Sequence, residues 1–71
     1  MKQYMYYGRV IHDVYTLNVL KGMTDKQAKI KAVNHGRALY HKHSDVLVSY
    51  PTAMTWLREY SRSLRSLRMV S

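Results

Sequence analysis

The 71 residues hold 12 Lys and Arg against 4 Asp and Glu, a formal charge of +8, and no cysteine. A chain this short forms one domain, residues 1–71, and buries only ~60% of the surface its unfolded form exposes, so its core is thin. Without cysteine, disulfides and thiolate metal sites are excluded, leaving an economical core, self-association or a partner as sources of stability.

A charge of that density opposes compaction and favours anionic partners. The 46% hydrophobic content argues against a disordered polycation, which would be poorer in apolar and aromatic residues. The longest stretch without a charge, residues 46–57, contains Pro51, Ser49 and two threonines. It falls well short of the ~20 apolar residues that cross a bilayer. The first residues lack the apolar run of a signal peptide, so a cytoplasmic protein is expected.

In chain order, residues 4–20 come first, rich in Tyr, Val, Ile and Thr. These types favour strands and are indifferent in helices. A turn at His12-Asp13 gives a hairpin with Tyr4, Tyr6, Val10, Tyr15, Leu17 and Val19 on one face, although His-Asp is not a preferred two-residue turn. The rival reading makes residues 9–21 a helix closed by Gly22 as its C-terminal cap.

Thr24 opens a helix that should run to about His43. Thr24 can accept from the amide three residues on while Gln27 reaches back, and Asp25 suits the positive end of the helix dipole. Ala28, Ala32, Gly36 and Leu39 share one face, and three small residues there imply close approach to a neighbour. Lys31, His35 and Lys42 lie opposite. Residues 45–50 read as a short strand ending at Pro51, because the residue before proline avoids helical geometry. Pro51 or Thr52 then begins a last helix, to about Met69. The expected fold is therefore α+β, in the order β-β-α-β-α, with an all-α three-helix domain as the alternative.

The last helix sorts by helical geometry. Ala53, Trp56, Leu57, Tyr60, Leu64 and Leu67 fall on one side. Arg58, Arg62 and Arg65 fall on the other, with Arg68 at their flank. Arginine grips phosphate or carboxylate bidentately, and neighbouring serines add hydroxyl donors. Such a stripe is also what a solvated helix face looks like. An interfacial membrane helix would match it too, but a domain this small needs those apolar residues for its core. Residues 24–44 carry the largest local excess, +4, from five cations against one anion. Lys29, Lys31 and Lys42 of that segment are expected to support Arg58, Arg62, Arg65 and Arg68.

There are seven tyrosines and no phenylalanine. Tyr4, Tyr6 and Tyr7 could stack on unpaired bases or form protein contacts. They serve equally well as core-edge rings whose hydroxyls reach water.

Catalysis and metal binding find little support. Asp13, Asp25, Asp45 and Glu59 are scattered, and no nucleophile motif, phosphate loop or glycine fingerprint occurs. His41 and His43 diverge on a helix, and no histidine pair has the four-residue spacing of a shared metal site. The chain is expected not to be an enzyme and to need no cofactor or metal. Nucleic acid, RNA or DNA, is the first expectation for a partner. The alternative is a protein-interaction module, a small inhibitor or adaptor of the kind phages and mobile elements encode, docking on an acidic surface of a host protein. A thin core and high apolar content also leave homo-oligomerisation open.

Overall fold

A computed structural model describes residues 3–70, and side chains for residues 5–66. Three helices follow one another: α1 (Gln3–Leu20), α2 (Asp25–Ser44) and α3 (Tyr50–Val70). Helix α1 is central and packs extensively on both others, which touch each other less. The molecule is flat, with extents of 38 × 32 × 17 Å.

The expected α+β architecture is overturned: no strand occurs among the described residues, and the three-helix alternative fits. The N-terminal hairpin is instead the single helix α1, with His12-Asp13 in its middle rather than at a turn. The reason lies in packing. At helical spacing Tyr7, Ile11, Val14, Tyr15 and Asn18 fall on one half of the cylinder, and all five are buried or half-buried. Helix propensities differ by less than ~1 kcal/mol per ordinary residue, so burial of this half against two helices outweighs the preference of Val, Ile and Tyr for strands.

Gly22 ends α1, as the helical reading of this segment requires. Its φ of 98° lies where only glycine is unstrained. The Gly22 amide donates to the Val19 carbonyl (3.0 Å) and the Met23 amide to that of Asn18 (3.1 Å), closing a Schellman motif. Thr24 then caps α2, its hydroxyl accepting from the Gln27 amide at 3.2 Å. Only this forward half of the capping box forms among the described residues.

The expected strand at residues 45–50 is also corrected. Asp45 is the left-handed C-cap of α2 (φ 58°), its amide donating to the His41 carbonyl, and residues 46–49 are an irregular connection. Arg37 Nε donates to the Val48 carbonyl at 3.0 Å, drawing this connection back along α2. That side-chain bond satisfies a carbonyl a sheet would otherwise have used. Tyr50 already belongs to α3. Ser49 starts the helix by accepting from the Thr52 amide (3.4 Å), and Pro51 sits in the first turn, where its missing N–H costs nothing.

The core consists of Ile11, Ala28, Ala32, Val33, Ala53, Trp56 and Leu57. The small stripe of α2 behaves as its composition implies, since Ile11 of α1 lies directly over Gly36. At one end Tyr7 joins all three helices. Its ring centroid lies 5.0 Å from that of Tyr40 and 5.5 Å from that of Trp56. Its hydroxyl is 3.1 Å from His43 Nδ1.

Candidate anion-binding groove

Between α1 and α3 lies a groove of about 540 Å³. Helix α1 contributes His12 and Tyr15 to it, three residues apart on one face. Helix α2 contributes Lys29. From α3 come Met54 and Leu57, then Ser61, then Arg58, Arg62 and Arg65. Leu57 is buried and Met54 and Tyr15 half-buried, whereas the three arginines are exposed. The groove therefore joins a small apolar floor to a largely polar, cationic rim. None of its lining residues is Asp or Glu.

The spacing of α3 sets this arrangement. Positions 58, 62 and 65 lie within one narrow face, adjoining the Met54 and Ser61 positions and about opposite Trp56 and Tyr60. Among the described residues Arg58 and Arg65 form no ion pair. Arg62 Nη1 lies 3.7 Å from Glu59 Oε1, an exposed pair of the kind worth little in water.

At the α2 end Lys29 Nζ is 3.7 Å from Asp25 Oδ2 and 6.0 Å from the centre of the Tyr15 ring. The Tyr15 hydroxyl donates to Asp25 Oδ1, which fixes the ring against the start of α2. That hydrogen bond holds the Asp25 carboxyl below its ordinary value, assisted by the Lys29 charge and opposed by burial. The same bond raises the Tyr15 hydroxyl above its usual value, with burial and the Asp25 charge adding to it. Elsewhere between α1 and α3 the His12 and Tyr60 ring centroids are 5.5 Å apart.

The structure thus gathers Arg58, Arg62, Arg65 and Lys29 at one groove. Lys31 and Lys42 are not among its lining residues. Both are exposed on the face of α2 that turns away from α1. The side chain of Arg68 lies outside the described residues, as does that of Tyr4. Tyr6 is 44% exposed, with its ring 4.8 Å from that of Tyr7. Tyr7 is a packing residue: burial raises its hydroxyl above the ordinary value, and Tyr6 and Tyr40 add to the shift.

Sequence reasoning missed His12, Tyr15, Met54 and Leu57 as groove residues. The signal for the first two was their helical spacing, invisible once the segment was read as a hairpin. Compared with protein-family models, curated proteins and solved structures, the chain has no significant match.

Proposed function

We propose that the protein binds nucleic acid, holding backbone phosphates in the α1–α3 groove with Arg58, Arg62, Arg65 and Lys29. The observation that carries this reading is a groove edged by four cations and lined by no carboxylate. Arginine forks match phosphate oxygens, and Ser61 adds a hydroxyl donor. The +8 charge of the chain steers any polyanion toward it.

Phosphate contacts release counterions, so four of them give about a 50- to 150-fold loss of affinity between 50 and 200 mM salt. Anisotropy titrations of labelled RNA and DNA across that range test the reading. Reversing Arg58, Arg62 and Arg65 to Glu should abolish binding. A salt-insensitive constant, or unchanged binding by the reversed variant, refutes it.

A second reading, an adaptor or inhibitor docking on an acidic protein surface, draws support from exposed apolar residues. Leu20 is 77% exposed and Leu47 70%. Retention of a protein partner after nuclease treatment, with no shift of RNA or DNA in a gel, favours it.

A further inference from the structure

The groove is built for more than a phosphate. A phosphate group needs only the rim, where Arg58, Arg62 and Arg65 reach into solvent. Beneath it lie Leu57, 5% exposed, with Met54 and the Tyr15 ring, and none of these offers a phosphate anything. The groove is open to solvent along its rim, and its volume, about 540 Å³, leaves room for a small organic group. A flat ring is the element of a nucleic acid that an apolar floor of this kind accepts.

We infer that the groove takes one unpaired nucleotide, its base against Tyr15, Met54 and Leu57 and its flanking phosphates on the arginines; the inference rests on the nucleic-acid reading above. Three features carry it. First, the rim and the floor belong to the same depression, so a ligand must present anionic and apolar surface side by side. Second, positions 58 to 65 span about 10 Å of α3, enough to follow a strand past a single residue. Third, the Tyr15 hydroxyl is held by Asp25, so the aromatic wall is already fixed in place. A base inside a duplex cannot reach the floor without unpairing and unstacking. The preferred ligand is therefore single-stranded.

The test uses the full chain and two measurements. Anisotropy compares a labelled single strand of about 12 nucleotides with the same sequence as a blunt duplex, at equal salt, and a base–aromatic contact predicts about tenfold tighter binding of the single strand. Competition then compares a nucleoside monophosphate with inorganic phosphate at matched ionic strength. The nucleotide should displace the strand at a concentration about tenfold lower. Tyr15→Ala should bring the two oligonucleotides close to equal affinity, with helical content checked by circular dichroism. If that variant does not fold, the competition on the wild-type protein decides. Duplex binding as tight as single-strand binding, or phosphate competing as well as the nucleotide, overturns the inference and leaves phosphate binding standing. Failure of both oligonucleotides to bind overturns the two readings together.

Discussion

Replacing Gly36 by alanine tests the closest contact in the core, and its sign should depend on a residue 25 positions away. In an open helix interior alanine is more stable than glycine by about 1 kcal/mol. Here the new Cβ would overlap Ile11 Cγ1 and stand 2.6 Å from Ile11 Cδ1. Ile11 has no exposed surface and is held in the core among Ala32, Val33 and Trp56. It has no room to swing aside. Overpacking of this kind costs about 1–3 kcal/mol, so the propensity gain is outweighed and Gly36→Ala should destabilise by about 1–2 kcal/mol. Ile11→Ala removes both clashing atoms and leaves the Ile11 Cβ position at 3.9 Å, an ordinary contact. That truncation itself costs about 2–5 kcal/mol. In its background, however, Gly36→Ala should stabilise by about 1 kcal/mol, giving a coupling of about 2–3 kcal/mol. Urea unfolding of the four proteins, followed by the fluorescence of the single tryptophan, Trp56, measures the cycle. Trimethylamine oxide in all four samples keeps the weakest variant folded. The same sign for Gly36→Ala in both backgrounds would refute the packing argument.

Gly8→Ala should be worse, because its Cβ would overlap the Trp56 carbonyl and lie 2.8 Å from Tyr60 Cβ. Main chain cannot rotate away, so α1 and α3 must separate, at a cost of about 3 kcal/mol or more. An unchanged thermal midpoint would show that these helices are not in contact. The Tyr15–Asp25 bond predicts two pH limbs. Asp25 titrates below its ordinary 3.8 in the fold, so its stabilisation is present above that pH and lost as pH falls through the lower folded value. Tyr15 titrates above 10.0, so its contribution is present below that pH and lost as pH rises through the higher folded value. Asp25→Asn should flatten the acid limb of a stability–pH profile and soften the alkaline one. An acid limb identical to wild type would place the titration elsewhere.

What could be read from the sequence was local chemistry. Thr24 as a helix start, Gly22 as a stop in the helical reading, and the small-residue face of α2 each follow from a side chain acting on its own backbone or from spacing alone. Helix α1 resisted because it is apolar around most of its circumference. An ordinary surface helix shows a polar face whose period of 3.6 is visible. The outward face of α1 is itself apolar, with Tyr6, Leu17 and Val19 exposed, so Tyr6, Val10, Tyr15, Leu17 and Val19 mimic a strand as well as Tyr7, Ile11, Val14 and Asn18 mark a helix. The fold separates the lysines for a related reason. Lys29 and Lys31 were grouped by charge, yet two residues turn a helix by about 200°, which sends one to the groove and the other to the outer face.

The distribution of charge explains why a groove of this kind arises where it does. Within α1 the ionisable cation and anion, Arg9 and Asp13, lie 4.0 Å apart as an i, i+4 pair, so the central helix brings no net charge to either contact. The excess sits on the helices at its flanks. The two positive helices both pack on the neutral one, and α2 and α3 meet least. Lys29 of α2 lines the same groove as the arginine face of α3. Repulsion across that gap is modest in water and is screened within about 10 Å at 0.1 M salt. Salt should therefore act on fold and site in opposite senses: it relieves the crowding of Lys29 and the arginines in the free protein, and it competes with the polyanion that would otherwise relieve it.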